Sequence, residues 1–369
     1  MPTTLKTPLS TLLTPFSLLL LLLCLLTPHV QPQYIAPIPA LPAPANTPIT
    51  ATYHTPNPDL SELSAPKLSA VNASAFEWWY FDAVAAHNPN LSAVVTFFTS
   101  APAAFPMAPR NGSSVVWSYV YVSLPDAPPA PAPPPPGDEG RDGDGDRDGG
   151  TGGGSGGNDR GDKGPNLEVW IGWDGSRISG RLRLENATSP RTPCTTSQRF
   201  DPSLRLGSVG WVNIVPHAKA TVDLIVDGEA VKFEGYGYHD KNWSERPFHS
   251  LVKKWFWGHA HVGPYSLVWF QETPLNSTIP VASASVLKDG VTVLSGCEAG
   301  IVSVQRVGHA AASGFAVEVV MRGVRVTMLG TREVAGDGQH FFRWSGTVDG
   351  EVLGQKVNGG VAVFEEFDL

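Results

Sequence analysis

Cysteine is scarce in this chain: three occur among 369 residues. Cys24 lies in an apolar N-terminal run, so Cys194 and Cys297 remain for the folded part, where at most one disulfide can form. An oxidising compartment would allow that bond, and two buried free thiols fit the sequence equally well. A catalytic nucleophile is also missing, because no Ser or Cys has a recognisable catalytic setting.

Positive charge is lacking as well. The net charge is −8, and residues 126–163 supply −5 of it through nine acidic and four basic side chains. Because the remainder is close to neutral, the basic patch that nucleic-acid binding requires is missing. We therefore expect no nucleic-acid partner.

Long apolar runs are confined to the N-terminus. Lys6 precedes an unbroken run from Leu18 to Leu26, which is shorter than the roughly 20 residues that span a bilayer. We interpret residues 1–30 as a signal peptide, with an uncleaved signal anchor as the alternative. Entry into the secretory pathway is therefore predicted, with no stable membrane span after the leader is cleaved.

Six N-x-S/T sequons favour the same route, because such asparagines can be glycosylated there. Asn242 is discounted, since its neighbourhood is expected to face a pocket. The predicted glycosylation sites are Asn72, Asn90, Asn111, Asn186 and Asn276.

Low-complexity segments divide the chain. Residues 31–67 are rich in Pro, Ala and Thr, which favours an extended, poorly ordered arm. Residues 125–165 are first Pro-rich and then Gly/Asp-rich, and they are predicted to form a disordered insertion within a hairpin loop. The folded units are expected over residues 68–215 and 216–369, with the boundary near residues 205–225.

Helical periodicity is missing, whereas short alternating runs typical of β-strands recur throughout. Turn signals such as Asp227-Gly228, Asp289-Gly290 and Asp349-Gly350 separate several of these runs. About 300 ordered residues exceed one small barrel. The sequence therefore predicts an all-β fold of two packed units.

Tryptophan and ionisable side chains are concentrated in a few segments. They read FEWWYFD at Phe76–Asp82, GYGYHDKNW at Gly235–Trp243 and WFWGHAH at Trp255–His261. Indole walls with a few polar groups are typical of a pocket for an apolar organic molecule.

Strand alternation places Trp255, Trp257, His259 and His261 on one face. An H-x-H pair can chelate a metal, but the Glu that a cupin-like site adds a few residues later is missing. We therefore predict no metal and interpret these histidines as hydrogen-bonded among aromatic rings.

Glu77 shares a face with Trp79 and Phe81, while the alternate residues from Trp78 to Asp82 take the other face. Burying an unpaired carboxylate is costly. Glu77 is thus expected either to pair with a cation between the units or to have a raised pKa and donate a proton.

The segment after the strand Glu229–Gly235 offers His239, Asp240 and Asn242, with glycines that ease a bend. These side chains either surround a pocket mouth or cap backbone groups at a strand corner. Both interpretations stay open.

Together with the closing GGVAVFEEF at Gly359–Phe367, these motifs resemble the fungal Diels–Alderase family. That family shares a tandem lipocalin-like architecture with bacterial carotenoid hydratases of the hydroxyneurosporene synthase type. The resemblance covers residues 68–369 apart from the insertion. It implies two lipocalin-like antiparallel β-barrel or sandwich units, a hydrophobic small-molecule substrate and no cofactor.

The resemblance also implies the reaction, a [4+2] cycloaddition on a polyketide, polyketide–peptide or meroterpenoid, driven by preorganisation and hydrogen bonding. The catalytic polar anchors are then expected among Glu77, His239, Asp240, Asn242 and His259. The substrate-binding side chains are expected to be Trp79, Tyr80, Tyr238, Trp243, Trp255, Trp257 and His261. Ser244 departs from the family pattern, which has Gly after the Asn-Trp pair.

Two other functions compete. An isoprenoid hydratase or isomerase would use Asp240 or Glu77 to protonate an alkene. A secreted lipocalin-like carrier would bind the same ligand without turnover.

Overall fold

A computed structural model of the chain describes residues 38–56, 59–108, 114–125, 153–155, 166–172, 175–196, 198–311 and 314–369. The predicted signal segment, Asn111 and nearly all of the predicted insertion lie outside the described residues.

The first half of the described chain forms one antiparallel sheet. Its strands are ordered β3-β2-β1-β9-β8-β6-β5-β4, and β7 pairs separately with β8. The strands are β1 (Phe76–Ala85), β2 (Asn88–Ser100), β3 (Val116–Ser123), β4 (Gly153–Ser155), β5 (Asn166–Ile171), β6 (Ile178–Glu185), β7 (Arg205–Leu206), β8 (Val209–Val226) and β9 (Glu229–Ser244).

The second half forms another antiparallel sheet, in the order β13-β12-β11-β10-β18-β17-β16-β15-β14. Its strands are β10 (Val252–Val262), β11 (Tyr265–Pro274), β12 (Val281–Lys288), β13 (Val291–Gly296), β14 (Ser303–Ala311), β15 (Gly314–Met321), β16 (Val324–Gly336), β17 (Phe341–Val352) and β18 (Gln355–Asp368). The predicted all-β fold with two antiparallel units is confirmed.

Helices are minor in the described residues: α1 (Leu60–Ser64) and one 3-10 turn at Phe248–Ser250. No helix in this part of the chain is both long and apolar enough to cross a lipid bilayer.

The change from the first sheet to the second lies at residues 245–251, not near residues 205–225 as expected. β8 runs through the predicted boundary, and β9 pairs with β1 from Ser244 to Gly235. This long, unbroken pairing keeps both strands in the first sheet.

Two of the three predicted tight turns are confirmed. Asp227-Gly228 and Asp289-Gly290 have positive φ values of 51° and 86°, and of 50° and 78°, as two-residue hairpin turns of this kind require. Asp349-Gly350 was predicted wrongly, because it lies inside β17 beside a register shift. The turn there is made by Leu353-Gly354.

The Pro-rich arm was expected to be poorly ordered, but its described residues contact the first sheet. Ala51 bridges Leu68, and Leu63 of α1 is fully buried. Tyr53 stacks on Trp243 with ring centroids 6.0 Å apart. Its few apolar side chains therefore give the arm enough burial to fix it on the sheet.

Buried apolar side chains form three clusters. One lies within each sheet, and the third brings aromatic residues of both sheets together. Trp211 of β8 packs on Phe270 of β11 at 5.0 Å, for example, and Tyr80 of β1 on Trp257 of β10 at 4.9 Å. The third cluster, which we call the intersheet core, holds the candidate site.

Candidate functional site

The intersheet core contains a cavity of about 30 Å³. Side chains from both sheets line it, together with Phe105 and Met107 from the β2–β3 loop. The strand residues are Trp78, Tyr80, Thr96, Phe98, Tyr119, Tyr121, Asp240, Asn242, Trp255, Trp257, Phe341, Arg343, Glu365 and Phe367. The cavity is therefore mostly aromatic, with a small set of polar groups in its wall.

Strand alternation explains which residues reach the cavity. On β10, Trp255 and Trp257 line it, while Ala260 and Val262 on the opposite face pack in the second sheet's own core. Gly258 lies on that opposite face too, and glycine is needed there because a Cβ would lie 2.1 Å from the Trp269 ring. The predicted faces of this strand are confirmed.

The segment from Tyr238 to Trp243 is regular strand, not a corner. The preceding Gly235 serves a close approach of β1, since a Cβ on it would lie 1.9 Å from the Val84 carbonyl oxygen. Because β9 stays extended, Asp240 and Asn242 share the cavity face.

Asp240 is one of two acids in the cavity wall whose pKa is raised. Its Oδ2 accepts hydrogen bonds from Trp211 Nε1 at 2.8 Å and from the Tyr238 hydroxyl at 2.9 Å. Trp257 Nε1 in turn donates to the Tyr238 hydroxyl oxygen at 3.0 Å. Burial raises the pKa of Asp240 to about 8. At neutral pH this carboxyl therefore carries a proton that it can share with a ligand.

A second polar chain joins the two sheets. Asp82 of β1 accepts from the Tyr80 hydroxyl at 2.7 Å, and its Oδ2 lies 2.8 Å from His259 Nε2 on β10. Asp82 is fully buried, and its Oδ1 has no hydrogen-bond partner. His259 thus reaches the site through Asp82, which the site prediction did not include.

Arg343 and Glu365 form a buried ion pair in the wall. Arg343 Nε and Nη2 donate to Glu365 Oε2 at 3.0 and 2.8 Å. Burial raises the pKa of Glu365, and the Arg343 charge opposes that rise. The closing motif contained Glu365, but nothing in the pattern distinguished Arg343 from a surface arginine on β17.

Several predicted site residues lie on the opposite face of β1 and β9, inside the first sheet's own core. Glu77 is 2.5 Å from Lys241 Nζ, and both side chains are buried. Trp79 lies under Lys241 Nζ at 3.8 Å, and Trp243 belongs to the same core. Glu77 thus forms a salt bridge within one sheet, and it lines no part of the cavity.

His239 also faces the first sheet's core. Its ring stacks on Phe81 at 3.8 Å, and its Nδ1 lies 2.9 Å from the Tyr80 carbonyl oxygen. Burial lowers the pKa of His239 to about 3, so this imidazole is neutral at physiological pH.

His261 belongs to a separate cluster of rings. It stacks on Tyr236 at 3.5 Å and on His217 at 5.0 Å. Burial lowers the pKa values of His261 and His217 to about 3 and about 4. Among the described residues, no group of three or more His, Cys, Asp or Glu has the geometry to hold a metal ion.

A disulfide joins Cys194 to Cys297, which decides the alternative that the sequence left open. Beside it, Arg191 of the first half donates to Thr292 and Ser295 of the second at 2.6 and 2.7 Å. These bonds fasten one side of the sheet-to-sheet contact.

The predicted glycosylation sites differ in exposure. Asn186 and Asn276 are exposed, and Asn90 is partly exposed. Asn72 does not fit the prediction, because it is 5% exposed and its Nδ2 donates to the Thr47 carbonyl. Asn242 is buried, as expected for a residue at the cavity.

Comparison with known proteins supports the resemblance to the Diels–Alderase family. Residues 167–307 match the family described as Diels-Alderase-like. The chain is 30% identical over 245 residues to the quinolone epoxide rearrangement protein asqO of Emericella nidulans, a match over 64% of this chain and 65% of that protein. It thus spans just under two thirds of that relative.

Two further proteins match over more of the chain. The quinolone epoxide rearrangement protein penF of Penicillium thymicola is 28% identical over 84% of this chain and 89% of its own length. The crystal structure of CghA with Sch210972 has the same fold, with a TM-score of 0.53 at 17% identity over 92% of this chain and 97% of that chain. The predicted resemblance to the Diels–Alderase family is confirmed.

Proposed function

Since the chain is related to the Diels-Alderase-like proteins, we propose that it is a cofactor-independent cyclase of secondary metabolism that isomerises a hydrophobic intermediate in the intersheet core. The observation that carries the proposal is an aromatic cavity, built from both sheets, whose wall contains the protonated carboxyl of Asp240. Such a site orients an apolar substrate and polarises one oxygen of it.

The specific reaction proposed is a [4+2] cycloaddition. Holding the diene and dienophile together between aromatic walls removes much of the entropic barrier. A hydrogen bond from Asp240 to a carbonyl oxygen stabilises the charge that develops on that oxygen in the transition state. No nucleophile is needed, which agrees with the residues in the wall.

The cavity must expand to hold such a substrate. Ligand sites generally enclose about 300–1,000 Å³, whereas this cavity has about 30 Å³. Phe105 and Met107 come from a loop and not from a strand, so their displacement enlarges the cavity without breaking sheet hydrogen bonds.

A second candidate is acid-assisted rearrangement of an epoxide, which the names of two relatives favour. A carboxyl with a pKa near 8 can protonate the epoxide oxygen as the C–O bond breaks, and the resulting Asp240 carboxylate takes a proton back from the rearranged cation, so that the product is an isomer of the substrate. The two candidates differ in whether Asp240 only donates a hydrogen bond or transfers a proton.

Metabolite profiling of a gene-deletion strain tests the enzyme proposal. The purified protein should convert the accumulated precursor into an isomer of equal mass, whereas a hydratase would add the mass of water. A carrier would bind the precursor and leave it unchanged, which would contradict the proposal.

Asp240→Asn then separates the two reactions. The amide still donates a hydrogen bond, so a cycloaddition should slow by less than about tenfold, whereas loss of a general acid costs about 10²–10⁴-fold. The epoxide reaction should also slow above about pH 8, where the Asp240 carboxyl loses its proton.

We also propose that the protein matures in the secretory pathway. The Cys194–Cys297 disulfide and the exposed sequons at Asn186 and Asn276 support this route. Glycosidase treatment of the native protein should raise its mobility on a gel, and Asn186→Gln and Asn276→Gln should each remove one glycan. A native protein with free thiols and no glycan would contradict the proposal.

A further inference from the structure

Both hydrogen bonds that the Asp240 side chain accepts end on the same oxygen. Trp211 Nε1 lies 2.8 Å and the Tyr238 hydroxyl 2.9 Å from Oδ2, and no hydrogen bond from the described residues reaches Oδ1. Asp240 lines the cavity, whereas Trp211 and Tyr238 are buried and do not line it. The carboxyl therefore has one oxygen bonded to the protein and one left for a ligand.

The donor and acceptor of each bond follow from the chemistry of the groups. An indole N–H can only donate, so Trp211 must donate to Oδ2. Trp257 Nε1 likewise donates to the Tyr238 hydroxyl oxygen at 3.0 Å. Among the described residues, Oδ2 is then the one acceptor for the hydrogen of the Tyr238 hydroxyl. Because Oδ2 receives two donors, it has no place for a proton of its own.

We propose that Trp211 and Tyr238 are positioning residues, which hold the Asp240 carboxyl with Oδ2 as an acceptor and its proton on Oδ1, toward the cavity. The assignment rests on the proposed function in one respect, namely that Asp240 acts on the substrate from the cavity wall. It adds two residues that lie outside the cavity, and it identifies the oxygen of Asp240 that meets the substrate.

A proton held on Oδ1 suits both candidate reactions. In a cycloaddition, the Oδ1–H group donates a hydrogen bond and keeps its proton. In an epoxide rearrangement, the Oδ1–H bond breaks and the epoxide oxygen takes the proton. The Asp240 carboxylate then keeps two hydrogen bonds on Oδ2 until the rearranged cation returns a proton. In both reactions the fixed carboxyl presents its donor and not its acceptor to the substrate.

The pKa of Asp240 reports on these hydrogen bonds. Burial raises it to about 8, whereas donation from Trp211 and Tyr238 lowers it, because both donors stabilise the carboxylate. The charges of Glu365 and Asp82 raise it further. These charges stay in place when either donor is removed, so a change in the pKa then comes from the lost donor. The ionisable groups on the strands around Asp240 are Tyr80 and Asp82 of β1, Tyr119 and Tyr121 of β3, His259 of β10, Arg343 of β17 and Glu365 of β18.

Infrared titration of the full-length, ligand-free protein tests the assignment without turnover. The carbonyl stretch of the protonated Asp240 side chain is identified by its loss in Asp240→Asn. Hydrogen bonds to a carbonyl oxygen lower its stretching frequency, and Oδ2 is the carbonyl oxygen in the proposed arrangement. Tyr238→Phe and Trp211→Phe should therefore each move this stretch to higher wavenumber. Each should also raise the pH at which the band disappears, by about one pH unit.

Tyr265→Phe is the matched control for the loss of a buried hydroxyl. Tyr265 donates to Gln355 Oε1 at 2.7 Å and packs in the second sheet's own core, outside the cavity. Its removal should leave the Asp240 band unchanged. A stretch that stays in place in both Tyr238→Phe and Trp211→Phe, or a band that disappears at lower pH, would overturn the proposal.

Conversion of the precursor separates this proposal from the proposed function. Tyr238→Phe should lower the rate per folded molecule about tenfold or more, because the proton of Asp240 is no longer confined to Oδ1. Shifted infrared bands without conversion by the wild type would contradict the enzyme proposal and keep the assignment of the hydrogen bonds. Conversion by the wild type with unshifted bands would keep the enzyme proposal and overturn the roles of Trp211 and Tyr238.

Discussion

The two faces of β1 and β9 both bury ionisable side chains, yet they differ in how completely those groups are paired within the protein. On the core face, Glu77 and Lys241 pair with each other at 2.5 Å, and Lys241 Nζ also donates to the Ala65 carbonyl at 2.6 Å. On the cavity face, Asp240 keeps a raised pKa, and Asp82 has an oxygen without a partner.

We infer from this difference that the closed network on the core face maintains the fold and that the open network on the cavity face serves the proposed function. A closed network of buried charges fixes the fold, because all its partners lie within the protein. An open network beside a cavity can still bind or protonate a ligand. Residue type alone does not distinguish them, since each face has a carboxylate among tryptophans.

The largest stability effect should come from opening the closed network. Lys241→Met leaves the buried Glu77 carboxylate with the Lys67 N–H but without its ion-pair partner, and breaking a buried ion pair in this way typically costs about 3–5 kcal/mol. Denaturant unfolding should show this loss. Lys219→Met is the control, because its pair with Glu234 is largely exposed, and such pairs contribute about 0–1 kcal/mol. Equal effects of the two variants would contradict the distinction.

Removing the disulfide should affect the two networks unequally. Cys194→Ser with Cys297→Ser releases a loop of about 100 residues, for which a loss of about 2–5 kcal/mol in unfolding free energy is expected. The Asp82–His259 contact spans both sheets, whereas the Glu77–Lys241 pair lies within one sheet. Backbone amide hydrogen exchange should therefore accelerate more around Asp82 and His259. Uniform acceleration across both networks would count against this view.

The smallest expected effect on stability concerns Glu272, a buried carboxyl between the sheets whose hydrogen bonds come from one neighbouring residue. It accepts hydrogen bonds from Ser208, and burial raises its pKa to about 7. Because the pKa in the folded protein exceeds that of the unfolded chain, its contribution to stability is present at low pH and is lost as pH rises from about 4.5 to about 7.

Glu272→Gln should remove that part of the pH dependence, roughly 1–3 kcal/mol. The free energy of unfolding, measured from pH 4 to pH 8, checks the direction of this pH dependence. Glu298→Gln serves as the control at an exposed position. A wild-type protein that gains stability over this range through Glu272 would contradict the prediction.

Alternation along strands was enough to predict the fold class and the faces of β10. The same rule separated Trp78 from Glu77, but it could not say which face of β1 meets the second sheet. Both faces of β1 are buried, so hydrophobicity does not distinguish them. For this reason Trp79 and Trp243 were predicted at the site and lie in a core.

Arg343 and Asp82 are residues of the site that the sequence did not identify. Arg343 comes from β17 and meets β1 through contacts between residues that are distant in the sequence, such as its position 4.9 Å from the Tyr80 ring. Asp82 belongs to the first motif, but its role in the site depends on its contact with His259 of the other sheet. Pairing between sheets is set by packing, and a single sequence carries no signal for it.

We propose that the function resides on the cavity face, and one comparison of rates tests this directly. Asp240→Leu and the double variant Glu77→Leu/Lys241→Met each replace buried ionisable groups by apolar side chains, on opposite faces of the β1–β9 pair. Conversion of the deletion-strain precursor per folded molecule should fall at least about 10²-fold in the first and stay within about twofold in the second, whose paired replacement preserves the fold. Loss of conversion in the double variant, with conversion retained in Asp240→Leu, would instead place the function on the core face.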